Sequence, residues 1–228
     1  MTDLRRRLAA EAIGTGLLLA AIVGSGIAAE RLSGGSVGLA LLANALATGG
    51  ALVALIVTFG PVSGAHLNPV VTLVLARRGG MPPAVVLAYV AAQIAGAVIG
   101  VWVAHLMFAE PLMQTSAHVR SGGPQWLGEF VATFSLAAVV LACVRHRPEA
   151  TPFAVAAIIV AGYWFTSSTA FANPAVTLAR ALTDSFAGIR PVDVAPFVLA
   201  QVAGALTAAR CLGWLYGSAA EPRAAGVG

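Results

Sequence analysis

Charge is scarce in this chain. Only 10% of its 228 residues are Asp, Glu, Lys or Arg, against roughly 25% in an ordinary soluble domain. Lysine is absent, and all 13 basic residues are arginine. Alanine and glycine are abundant, so this reads as genomic composition. Cysteine is nearly absent too. Cys143 and Cys211 lie far apart in apolar stretches, which excludes a disulfide framework and a cysteine metal site. There is no glycine-rich phosphate loop, no catalytic dyad and no metal-binding cluster, so no enzyme reading arises and no cofactor is expected. With so few charges the chain cannot clothe a water-soluble fold. A soluble enzyme and a nucleic-acid module are excluded, although the net charge is +4 and the pI about 9.8.

What is present is hydrophobic: 59% of residues, with a mean hydropathy of +0.88. A helix needs about 20 apolar residues to cross a bilayer. Six such segments are predicted, at roughly 8–29, 36–60, 83–108, 124–145, 152–167 and 191–217. The first is read as a retained span, because no small-residue cleavage site and soluble mature domain follow it. Two further apolar segments, about 68–78 and 173–183, are too short to cross. Both open with Asn-Pro, a helix start in which Asn caps the first turn and Pro takes the position whose N–H is unpaired anyway.

Arginine placement orients the spans. Arg5, Arg6, Arg7, Arg77, Arg78, Arg145, Arg147, Arg210 and Arg223 fall on one side. Arg31, Arg120, Arg180 and Arg190 fall on the other. The positive-inside bias puts both termini in the cytoplasm of an inner-membrane protein, as an even number of spans requires.

The chain also repeats itself. GAHLNPVVTLVLAR (64–77) pairs with TAFANPAVTLAR (169–180), AYVAAQIAGAVIG (88–100) with PFVLAQVAGALTA (196–208), and LAAEAIGTGLL (8–18) with WLGEFVATFSL (126–136). A single membrane domain is expected over 1–228, with one repeat at about 8–108 and the other at about 124–217. Each repeat holds three spans and a short helix. Three is odd, so the repeats run in opposite senses. The two Asn-Pro starts then meet near the midplane, each helix N-terminus carrying roughly +0.5 charge. Such a centre repels cations and protons, while the Asn68 and Asn173 amides donate to a neutral solute. Segments 61–67 and 167–172 line the path, because non-helical backbone at this depth survives only when buried or facing a wet cavity.

At these residues the sequence resembles the aquaporin (major intrinsic protein) family, over nearly the whole chain. The boxes read Asn68-Pro69-Val70 and Asn173-Pro174-Ala175, each followed by Val-Thr-Leu, and Ser63-Gly64-Ala65-His66 looks like the family's first loop. The resemblance implies an all-α fold of six transmembrane helices and two re-entrant half-helices, with one pore per subunit in a homotetramer. It implies a central constriction at the two boxes, and pore walls at Gly64, Ala65 and His66. An outer filter would be formed by Thr48, Ala161, Ala170 and Val176. A one-residue shift would put Gly162 in the place of Ala161.

The departures carry the solute reading. Val70 replaces the usual alanine, adding two methyl groups where the half-helices are expected to touch. Val176 stands where the family has a filter arginine, and the ring and histidine of water-selective members are replaced by Thr48 and Ala161. Small, uncharged side chains imply a wide opening, since pore diameter, donors and a fixed arginine set selectivity. This pattern looks like the bacterial branch associated with arsenic resistance. The implied partners are the lipid bilayer, water, polyols such as glycerol and neutral metalloid acids such as arsenous acid. A general water or glycerol channel is the alternative. A gradient-coupled secondary transporter is a second, because inverted repeats with broken helices occur there as well.

Several polar residues have two readings. Glu11 and Glu129, at matched positions, either carry protons or hold loop amides. Gln93 and Gln201 are expected to support the same loops. His66 is either a pH sensor or a fixed wall residue. Arg180 either reaches toward lipid headgroups or faces the pore mouth. Trp102, Trp126, Trp164 and Trp214 read as interface anchors.

Overall fold

Helix starts in this chain are written in Asp, Ser, Asn and Pro. In the computed structural model, which describes residues 3–217, Asp3 caps α1 (Leu4–Leu32) and Ser36 caps α2 (Val37–Ser63). Asn68 caps α3 (Pro69–Gly79) and Asn173 caps α7 (Pro174–Arg180). Proline opens the first turn of α4 (Pro83–Met107), α5 (Gly123–His146), α6 (Thr151–Phe165) and α8 (Pro191–Leu215), where its missing N–H costs nothing. A single 3-10 turn, Pro148–Ala150, leads into α6. Gly64, at φ 90°, ends α2 in the left-handed region, where glycine has no Cβ to clash.

Among the described residues, six helices are long and apolar enough to cross a membrane, α6 together with its 3-10 turn. The other two are short. At 1.5 Å per residue α3 is about 16 Å and α7 about 10 Å long. Neither spans the roughly 30 Å hydrocarbon layer, but end to end they nearly do. The second is shorter than the sequence suggests, stopping at Arg180.

The two repeats pack alike. α1 lies against α4 and α2, and α5 against α8 and α6, while α2 and α6 join the halves. Both half-helices contact α4 and α8, so each is held by both repeats. A close backbone approach fixes the first pairing: a Cβ on Gly96 would strike the Ala12 carbonyl. At the matched place in the second repeat, a Cβ on Gly204 would strike the Phe130 carbonyl. Small residues are what allow such approaches between membrane helices.

Polarity is inverted relative to a soluble fold. Leu17, Val57, Leu87 and Leu199 are exposed, whereas Glu11, Asn44, Gln93, Glu129 and Gln201 are buried. One end of the bundle carries both described chain ends. There Arg7 bonds Tyr89, and Arg145 bonds the Gly217 carbonyl. At the far end Arg31 pairs with Glu110 at 2.7 Å, and loop 108–122 is tied to the segment after α7 by Ser116 N–H to Ala181 O. Arg223 lies outside the described residues.

Candidate pore and its outer constriction

Each half-helix is reached through a loop of unusual backbone. Ala65 and Leu67 in the first, and Thr169, Ala170 and Ala172 in the second, have φ between 46° and 61°. For non-glycine residues this costs on the order of 1 kcal/mol or more each, so something must hold it in place. Glu11 holds the first loop. Its Oε1 accepts from His66 N at 2.9 Å and Ser63 Oγ at 2.7 Å, and its Oε2 from Leu67 N at 2.7 Å. Glu129 holds the second, accepting from Phe171 N and Ala172 N at 2.9 Å each.

A further pair completes the support. Gln93 Nε2 donates to Glu11 at 2.7 Å and to Thr72 Oγ1 at 2.9 Å. Gln201 Nε2 donates to Glu129 at 2.6 Å and to Thr177 Oγ1 at 2.7 Å. Thr72 and Thr177 bond back to the Asn68 and Asn173 carbonyls. Both carboxylates are therefore occupied by loop amides and glutamines.

The two boxes meet. Asn68 Oδ1 accepts from Val70 N at 3.0 Å, and its amide donates across the repeat to the Ala172 carbonyl at 2.9 Å. Asn173 Oδ1 accepts from Ala175 N at 3.0 Å and Val176 N at 3.3 Å, and its amide donates to the Leu67 carbonyl at 2.8 Å. Each amide has two hydrogens, so each keeps one for the cavity that both line. Pro69 and Pro174 occupy first helical turns, and Ala175 is buried in the central core. Val70 is not at the junction of the half-helices. It packs with Val74, Ala137, Leu141, Ala205 and Ala208, where α5 and α8 absorb its extra bulk.

A cavity of about 80 Å³ runs along this axis, well above the roughly 10–15 Å³ needed to hold a water. Gly64, Ala65 and His66 line it, as do Thr48, Ala170 and Val176. His66 is pinned, with Nδ1 3.1 Å from Thr72 Oγ1 and its ring centroid 5.2 Å from that of Tyr89.

Ala161 is displaced from its expected place: it is exposed on the outside of α6, and Gly162 is buried away from the cavity wall. The wall residue is Tyr163. Thr151, Val155, Ile159 and Tyr163 all line the cavity, one helical turn apart. Ala161 is two residues from Tyr163, about 200° around the helix. The Tyr163 hydroxyl meets Thr48 Oγ1 at 3.1 Å. The cavity wall, expected here to carry small side chains alone, thus carries a phenol.

Arg180 does not reach toward lipid headgroups. It is buried and lines the cavity beside Val176. Trp164 and Phe165 are exposed, and the aromatic ring beside Arg180 in the cavity wall is Phe171, which sequence reasoning missed. Arg120 lies at the same ring. Its Nε donates to the Gly188 carbonyl at 2.8 Å, and its guanidinium lies 4.9 Å from the Phe171 ring. Burial brings its pKa down to about 10, which leaves it cationic at neutral pH.

The comparisons agree with this architecture. Residues 1–166 match the model of the family described as major intrinsic protein. The aquaglyceroporin AqpS of Rhizobium meliloti is 53% identical over 213 residues, covering 93% of this chain and 91% of that protein. The probable aquaporin AqpM of Archaeoglobus fulgidus is 30% identical, covering 93% and 96%. In fold, the X-ray structure of the aquaglyceroporin from Plasmodium falciparum superposes with a TM-score of 0.67 at 22% identity, over 91% of this chain and 95% of that one.

Proposed function

The chain belongs to the major intrinsic protein family, and on that premise we propose that its cavity is a passive path for small uncharged solutes, water and glycerol among them. It is a membrane channel and not an enzyme. One observation carries the solute reading: both box asparagines border the same cavity, whose wall holds no carboxylate among the described residues. The two converging helix N-termini disfavour cations there. Asn68 and Asn173 form the central constriction. Thr48, Tyr163, Ala170 and Val176 form the outer one.

Arsenous acid is the finer proposal. It is a neutral trihydroxy solute of roughly glycerol size, and needs no charge compensation in transit. Its support is Val176 in the wall, together with the resemblance to the arsenic-resistance branch. The assembly proposed is a homotetramer in the inner membrane with both termini cytoplasmic, which rests on the family resemblance and on the arginine distribution.

Proteoliposomes of the purified chain test the proposal. Entry of glycerol and arsenous acid should rise linearly with concentration, with or without a proton gradient. Saturating entry that follows the proton gradient would replace the channel by a coupled transporter.

A further inference from the structure

Val176 leaves the outer constriction without a charge at its own position. Arg180 follows one helical turn later on the same half-helix, a spacing that puts both residues on one face. Its relative exposure is only 2%, yet it lines the same cavity as Thr48, Tyr163 and Val176. Two contacts fix it. The guanidinium lies on the Phe171 ring with Cζ 3.4 Å from the centroid, and Nε donates to the Ala187 carbonyl.

Among the described residues, no hydrogen-bond acceptor meets the two terminal nitrogens of Arg180. No carboxylate among the described residues pairs with this cation. The acids nearby in the fold are committed elsewhere. Glu129 is held by Phe171, Ala172 and Gln201, Asp193 by Arg190 and Arg120 N–H, and Asp184 by Ala117 N–H. Arg120, the other guanidinium at the same ring, spends its donors on the Gly188 and Phe186 carbonyls and Thr169. Arg180 is therefore a buried cation in the cavity wall, fixed at its Nε and at the face of its guanidinium.

Two other residues of the same wall supply the complement. Thr48 has one hydroxyl hydrogen, and it goes to the Asn44 carbonyl at 2.8 Å. The 3.1 Å contact between Thr48 and Tyr163 is then donated by the phenol. That leaves the Tyr163 oxygen with lone pairs to offer and no hydrogen. The cavity wall thus holds a guanidinium donor at Arg180 and an acceptor oxygen at Tyr163.

We propose that Arg180 takes the place of a charge at position 176, and that with Tyr163 it forms a transit site for neutral solutes bearing hydroxyls on the same or adjacent atoms. Two hydroxyl oxygens accept from the guanidinium fork, whose geometry suits paired oxygens. One hydroxyl donates to Tyr163. Urea donates to Tyr163 equally well but brings one oxygen to the fork in place of two. The same charge closes the mouth to cations. This inference deepens the channel reading and rests on it.

The test uses the full-length chain in proteoliposomes and measures water, glycerol and urea entry with sodium leak. The wild-type protein should favour glycerol over urea and hold sodium out. Arg180→Ala should lower the glycerol-to-urea ratio about tenfold, the worth of one net hydrogen bond to a charged group. Sodium leak should rise about a hundredfold, the Coulomb factor for a unit charge at about 6 Å and an effective dielectric of about 20. Arg180→Lys keeps the charge and loses the fork. It should hold sodium out and still lose the glycerol preference, and it decides the matter if the alanine variant does not fold. Wild-type ratios and leak in both variants, with water flux intact, would overturn the transit site while the channel stands. Absence of any solute or water flux in the wild-type chain would overturn the channel reading itself.

Discussion

The side-chain amide of Asn173 donates to the backbone carbonyl of Leu67 at 2.8 Å. The two residues belong to opposite repeats, and the bond is returned by Asn68 to Ala172 at 2.9 Å. The two loops are thereby one unit. Each asparagine caps its own half-helix and fastens the other repeat's loop. Asn173→Ala removes a cap, worth about 1 kcal/mol, and leaves the buried Leu67 carbonyl unpaired, about 1–3 kcal/mol more. A fall in the thermal midpoint and loss of solute flux are expected together, read by size-exclusion after heating and by vesicle swelling. Asn173→Asp keeps the cap and loses the donor, so it should retain part of the stability and little of the flux.

The carboxylates beneath the loops act by accepting. A glutamine at position 129 offers one acceptor oxygen and turns an NH2 toward backbone N–H groups that need acceptors. Glu129→Gln should destabilise the second loop by about 3 kcal/mol or more, in the range for a broken buried network. Glu11→Gln should do the same for the first, because its bonds match. Thermal midpoints of the two variants in detergent check this. A proton-carrying role predicts a different outcome: normal midpoints with altered pH dependence of flux.

The two helix crossings tolerate no side chain. Gly96→Val and Gly204→Val each drive a branched side chain into a facing carbonyl, so neither should yield a monodisperse protein in detergent. Gly213 has open space around its Cβ position, and Gly213→Ala should behave as wild type.

Much of this could be read directly from the chain. The repeat pairs LNPVVTL with ANPAVTL, and the acids and glutamines fall at matched places, because an inverted repeat must meet the same physical demand twice. The filter was harder. Counting from the boxes leads to Ala161, but the wall of α6 is set by helix phase. Thr151, Val155 and Ile159 recur every four residues and lead to Tyr163. That stripe is visible in the sequence once the cavity face is known, and hidden before. Arg180 and Phe171 were obscured differently. Their places depend on the fold of segment 181–190, where Ala187 receives the arginine, and no periodicity describes such a loop.

Position 176 offers a gain-of-bulk experiment. Val176→Arg puts a second guanidinium one turn from Arg180 in the same wall. Glycerol and arsenous acid flux should fall more than water flux, as measured on the same vesicle preparation. Equal loss of all three, or of none, would remove Val176 from the filter.

The far-end loop carries a pH dependence. Burial, with Arg120 and Arg180 nearby, holds the His118 pKa below the usual histidine value. The folded chain then binds fewer protons than the unfolded one. Stability falls as pH drops through the unfolded value of about 6.5 and levels off below the folded pKa. Midpoints at pH 8.0, 6.5 and 5.5 (chosen to bracket about 6.5) should show this decline, and His118→Gln should flatten it.

The central claim, an open aqueous path between the two boxes, is tested most directly by the temperature dependence of glycerol permeability in proteoliposomes against empty vesicles. A path through the cavity predicts fast entry that varies weakly with temperature, as diffusion in water does, and that disappears in Asn173→Ala vesicles. Entry as slow and as steeply temperature-dependent as in empty vesicles would contradict it.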